Sequence, residues 1–176
     1  DWADKCKGIK SNDANQMLAA GAQGYTFANA AEIMQTYDGW ADKDKTDFKK
    51  WIVDVFAAKN IEFMKGHGGQ CSDHYWSNWD LVNMCSYMAI GILTENDDMV
   101  NYVVNYFYNG VGNGYIGKLI QGTFTDPLGS GEEIAPAPHM LSHKHVLKDG
   151  HGLKKSDILE STRHSQLRYL IRFFTA

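Results

Sequence analysis

"DHYWSNWDLVNMCSYMAIGIL", residues 73–93, changes character part-way along. His74, Tyr75, Trp76, Asn78 and Trp79 crowd its first third, and from Leu81 onward the side chains are mostly apolar. The apolar spacing predicts a helix over 76–93. A helix that is apolar on nearly every side belongs inside a protein. Such a helix with polar and aromatic groups gathered at one end marks that end as the place to look for chemistry.

The neighbouring segments also read as helices. In "TFANAAEIMQTY", 26–37, Phe27, Ala30, Ala31 and Met34 recur at three- and four-residue spacing, and Thr26 is placed to cap the start. The turn "DGW" follows at 38–40. Residues 45–64 put Phe48, Trp51, Ile52, Val55, Phe56 and Phe63 on one broad face. "KGHGGQCSD", 65–73, is a Gly-rich loop, and 99–110 is a further helix that stops at Gly110. "GTFTDPLGSGEEIAPAP", 122–138, reads as loop. No segment alternates in the manner of a strand, so the expected class is all-α. Helix pairs recurring about every 40–50 residues are the pattern of a helical hairpin array or toroid.

Composition narrows the function classes. The 176 residues are 44% hydrophobic and 22% charged, as in ordinary globular chains. Five Trp and nine Tyr help bring aromatic content to 12%. That suits either a core of large side chains or a surface for flat apolar faces such as sugar rings. A net charge of −4 argues against nucleic acid as partner. No apolar run approaches the roughly 18 residues of a membrane span. The sequence opens on Asp1 rather than Met, so a processed, secreted form is expected. Of Cys6, Cys71 and Cys85, the first two are the expected disulfide in a secreted protein, with Cys85 a buried free thiol.

Composition shifts near 136–142. Residues 1–135 therefore read as a helical domain, and 136–176 as a basic, His-rich tail. The tail's predicted helix spans 156–174, with Ile158, Leu159, Leu167, Leu170 and Phe173 as its apolar stripe. His139, His143, His145 and His151 have spacings that neutral imidazoles can use to bind Zn²⁺ or Cu²⁺. Lys144 lies inside that group and no Cys or carboxylate completes it, so the preferred reading is a solvated loop with no metal and no cofactor.

Several ordered motifs resemble the alginate-lyase-like domain of polysaccharide lyases, over about residues 26–135. They are "NAAEI" and "GW" early in the chain, then Trp76, Asn78, Trp79, Asp80 and Leu81, then Met88 to Gly91, then Tyr106, Phe107, Gly110, Gly112, Asn113, Gly114 and Ile116. The resemblance implies an (α/α) toroid. It also implies cleavage of uronic-acid polysaccharides, of the alginate or glucuronan type, by β-elimination. In that reaction a base removes the proton beside the sugar carboxylate and an acid protonates the leaving oxygen. Amide or guanidinium donors stabilise the enolate-like charge on the carboxylate.

Asn78 matches the family's active-site asparagine. His74, four residues earlier, shares its face if the helix starts early enough, as a supporting donor or base. Tyr75, Trp76 and Trp79 are candidates to stack on sugar rings. The plainer readings stay open: Asn78 as a helix cap, His74 as a loop histidine, and the tryptophans as core.

After "GSGEEIA", 129–135, the sequence departs from the family, which continues into an Arg-Asp-Gln-x-His motif and a catalytic Tyr. The nearest counterpart is "ESTRHSQLRY", 160–169, which lacks the Asp-Gln pair and offers Arg163 and Tyr169 as neutraliser and acid/base. A full ring needs more helices than 176 residues supply, so an incomplete array is expected. Its uncovered apolar faces would favour a homo-oligomer. The expected function is a secreted lyase-like protein acting on an acidic polysaccharide. The alternative is a non-catalytic helical protein that keeps a glycan-binding groove.

Overall fold

The computed structural model describes residues 2–10, 13–119, 123–125 and 132–134. They form α1 (Trp2–Lys5), α2 (Asn15–Met34), α3 (Asp42–Ile52), α4 (Ala58–Gly66), α5 (Ser77–Leu93), α6 (Asp97–Asn109) and α7 (Ile116–Leu119). The class is all-α. A three-residue strand pair, β1 (Thr123–Thr125) and β2 (Glu132–Ile134), runs antiparallel in the segment expected to be loop.

The helix expected at 26–37 begins eleven residues earlier, at Asn15. Thr26 is therefore not a cap. It lies within α2, and its hydroxyl donates back to the Ala22 carbonyl at 3.0 Å. The buried face also differs from the expected one. It is Met17, Ala20, Gly21, Gly24, Ala28 and Ala31, while Ala30 and Met34 are exposed. The reason is close approach to α5. A Cβ on Gly21 would stand 2.9 Å from the Val82 carbonyl carbon, and one on Gly24 would strike the Ser86 hydroxyl and lie 3.0 Å from Phe56 Cβ. Small residues let two helix backbones meet where large ones would hold them apart.

These contacts fix direction. Gly21 meets Val82 and Gly24 meets Ser86, so α2 and α5 run parallel. Asn60 bonds Asn83 and His67 bonds Asp80, so α4 runs antiparallel to α5. Gly91 lies against Met99 and Val100 while Asp80 bonds Tyr106, so α6 is antiparallel as well. The helix read as 45–64 is continuous from Asp42 to Gly66, with a π-helical turn, Val53–Ala57, joining α3 to α4. Trp51, Ile52, Val55, Phe56 and Phe63 are buried as the spacing required.

α5 is the central element. Leu81, Met84, Ile90 and Leu93 are almost wholly buried, as its apolar run predicts. It begins at Ser77, after extended Trp76. The following turn places Glu95 at a left-handed φ of 56°. Asn96 then caps α6 by accepting from the Met99 amide at 3.2 Å.

Cys85 is buried as expected, and burial pushes its thiol up to about 12. The expected Cys6–Cys71 bridge is not formed, and all three cysteines are free thiols. Cys6 packs beside Trp51, whose indole N–H donates to the Cys6 carbonyl at 2.7 Å. Cys71 is exposed in the loop before α5, where a hydrogen bond to Asp73 raises its thiol pKa. The tail helix expected at 156–174 lies outside the described residues.

Candidate functional site

At the start of α5 a buried carboxylate organises three distant parts of the chain. Asp80 is wholly buried. Its Oδ1 accepts from the Tyr106 hydroxyl at 2.7 Å and lies 3.2 Å from His67 Nε2. Its Oδ2 accepts from the Gly114 amide at 3.1 Å. The His67 ring nitrogen is also 3.1 Å from the Tyr106 hydroxyl, which closes a triangle of polar groups. Burial, reinforced by the Asp80 charge, holds the Tyr106 phenol well above its ordinary pKa, so it stays protonated and donates.

The backbone is shaped to make this arrangement. α4 ends at Gly66, the next residue His67 is in the left-handed region, φ 45°, and Gly68 and Gly69 follow at 62° and 82°. A histidine there carries a strain of about 1–2 kcal/mol, and the bonds to Asp80 and Tyr106 are what hold it. Gly112 and Gly114 complete the fit. A Cβ on Gly112 would collide with the Tyr106 hydroxyl and come within 2.6 Å of both Asp80 Oδ1 and His67 Nε2. One on Gly114 would collide with Asp80 Cβ.

The candidate residues lie in the turn before α5 and in its first turn. His74, Trp76 and Asn78 are exposed, with Trp76 at 41%. Asn78 is thus neither a core residue nor the cap of α5, whose N-cap position is Trp76. His74 lies in the turn before the helix, its amide bonded to the Cys71 carbonyl at 3.0 Å. The condition for His74 and Asn78 to share one helix face is therefore not met. Tyr75 and Trp79 are half-buried, stacked on each other at 4.5 Å and both set against Phe63. They form an aromatic wall beside the turn, whereas Trp76 is exposed. Arg163 and Tyr169 lie outside the described residues, as do His139, His143, His145 and His151.

The family model for alginate lyase matches residues 4–118. The chain belongs to the alginate lyase family. The match starts well before residue 26, in keeping with the early start of α2, and ends in α7. No curated protein and no solved structure matches the chain. Within this alginate lyase domain the motif residues divide into two sets. Asn78 and Trp76 face solvent, whereas Asp80, Tyr106, Gly112, Asn113 and Gly114 build the buried frame.

Sequence reasoning missed the roles of His67 and Tyr106 and the frame role of Asp80. One signal was present: a carboxylate in a helix destined for the interior has to find donors. Among the described residues, no three His, Cys, Asp or Glu side chains gather as a metal site. An apolar cavity of about 300 Å³, lined by Phe27, Ala31, Met34, Tyr37, Trp40 and Phe48 among others, sits at the opposite end of the α2–α5 pair and contains none of the candidate residues.

Proposed function

We propose that this domain cleaves a uronic-acid polysaccharide of the alginate or glucuronan type by β-elimination, at the N-terminal end of α5. The observation that carries the reading is the exposure of Asn78 in the first turn of α5, the helix whose start also holds the buried Asp80 frame, in a chain of the alginate lyase family. A uronate carboxylate placed there meets the Asn78 amide and the positive end of a 17-residue helix. Both favour the extra negative charge that builds on the carboxylate as its neighbouring C–H proton leaves.

In this reading His74 is the supporting donor or base. As the proton goes to the base, the electron pair forms the new C=C bond, the C–O bond to the next sugar breaks, and the departing oxygen takes a proton. Trp76 supplies a ring for a sugar face. Arg163 and Tyr169 are the proposed second neutraliser and acid/base. The parallel α2 and α5, each paired with antiparallel helices, fit one sector of an (α/α) toroid, and the protein is proposed to act outside the cell, where such polymers occur.

The test is ultraviolet absorbance of the unsaturated uronate during incubation with polymannuronate, polyguluronate and glucuronan. Growth of that band with wild-type protein, and its loss by roughly 10²–10³-fold in Asn78→Ala, is the expected result. Binding of the same polymers without any band would give the non-catalytic glycan-binding alternative in its place.

A further inference from the structure

Asn113 is 4% exposed, and its amide reaches back across nearly forty residues to the turn before α5. Nδ2 donates to the Asp73 carbonyl at 3.1 Å and to the Tyr75 carbonyl at 2.7 Å. These carbonyls belong to the residues on either side of His74, in the 73–74 peptide unit that enters it and the 75–76 unit one residue beyond it. Both hydrogens of one amide therefore bracket the short stretch of backbone that carries a single exposed histidine.

Asn113 is in turn held by its neighbours. Gly112 is pressed against Tyr106, Asp80 and His67, with no room for a Cβ, and the Gly114 amide donates to Asp80 at 3.1 Å. A rigid path thus leads from the core of α4, α5 and α6, through the buried polar triangle and the 112–114 segment, to the backbone of His74. Below that backbone, the His74 ring packs edge-on against Tyr75 at 4.8 Å, and Tyr75 stacks on Trp79.

We propose that Asn113 is a positioning residue that fixes His74 over the start of α5, acting on catalysis only through that histidine. The inference rests on the proposed function for its catalytic consequence, but not for its structural content. Two amide bonds on one turn give something a surface loop lacks, a fixed origin for its side chain. A displacement of about 1 Å at a reacting group costs on the order of 10²-fold in rate.

The experiment is a cycle of Asn113→Ala, His74→Ala and the double variant in the full chain, read in two ways. Hydrogen–deuterium exchange over residues 71–76 should quicken at least tenfold in Asn113→Ala, while residues 81–93 stay protected. On a cleavable polyuronate, Asn113→Ala should lower kcat by about 10²-fold with KM within threefold, and the double variant should be no slower than His74→Ala alone. Unchanged exchange over 71–76, or losses in kcat that multiply in the double variant, would overturn the proposal. If Asn113→Ala does not fold, Asn113→Ser keeps one donor in place of two and should give a smaller rise in exchange and a smaller loss in kcat. If wild-type protein cleaves no polyuronate, the proposed function fails, and the exchange data together with the NMR shift of the His74 ring protons decide the positioning claim independently.

Discussion

Removing the Asp80 carboxylate tests whether the buried triangle holds the domain together. In Asp80→Ala the Tyr106 hydroxyl can still turn to His67, since the ring nitrogen 3.1 Å away becomes an acceptor in the other tautomer. The Gly114 amide has no such recourse and is left buried without the 3.1 Å acceptor it had. Three contacts to the carboxylate are lost: those of Tyr106 and His67, each worth roughly 1.5–3 kcal/mol before repair, and that of the Gly114 N–H, whose orphaning costs about 1–3 kcal/mol. Partial repair between Tyr106 and His67 recovers part of this, so the expected cost is about 4 kcal/mol.

Asp80→Asn should cost much less, about 1–2 kcal/mol. Its oxygen can keep the Gly114 bond, and its amide can donate to Tyr106 while Tyr106 donates to His67. For a chain of 176 residues, 1 kcal/mol shifts Tm by roughly 2–4 °C. Thermal melts followed by far-ultraviolet circular dichroism should therefore show a fall of about 8–16 °C for Asp80→Ala and about 2–8 °C for Asp80→Asn. An Asp80→Ala protein within about 1 kcal/mol of wild type would refute the reasoning, and so would an Asp80→Asn protein as damaged as Asp80→Ala.

Other outcomes are expected on the same grounds. Gly21→Ala should destabilise by about 1–3 kcal/mol in urea titrations, because its Cβ meets Val82 backbone, which cannot swing aside as a side chain can. Asn96→Ala should cost about 1 kcal/mol through loss of the α6 cap, and a change under 0.3 kcal/mol would remove the cap from the account. Stability should fall as pH rises above about 9 toward 12. The folded state keeps Cys85 protonated up to about 12 and Tyr106 protonated above its ordinary value, whereas the unfolded chain releases both protons earlier. Cys85→Ala should weaken that alkaline dependence in melts taken across the range. In native protein at pH 8, a thiol reagent should modify exposed Cys71 well before buried Cys85, and equal rates would contradict the assigned burial.

Periodicity alone determined that the chain is helical and that the 76–93 segment is interior, because a helix with apolar groups on every side has no stable place at a water interface. The ordered motifs around Asn78 and Gly112–Gly114 were enough to point to the family. Tertiary structure decided the rest. The faces of α2 that pack are its glycines and alanines, and a scale that rewards large apolar side chains passes over residues whose value is that they occupy no space. The start of α5 at Ser77 separated His74 from Asn78, a matter of one turn that spacing does not resolve. Asp80 stood in the sequence only as a motif residue, and its role comes from the fold, which brings His67, Tyr106 and Gly114 to it from 13, 26 and 34 residues away. Hydrogen bonds across such separations leave no local period in a sequence. They form only because α4, α5 and α6 are packed side by side, and a buried carboxylate then accepts whatever donors that packing delivers.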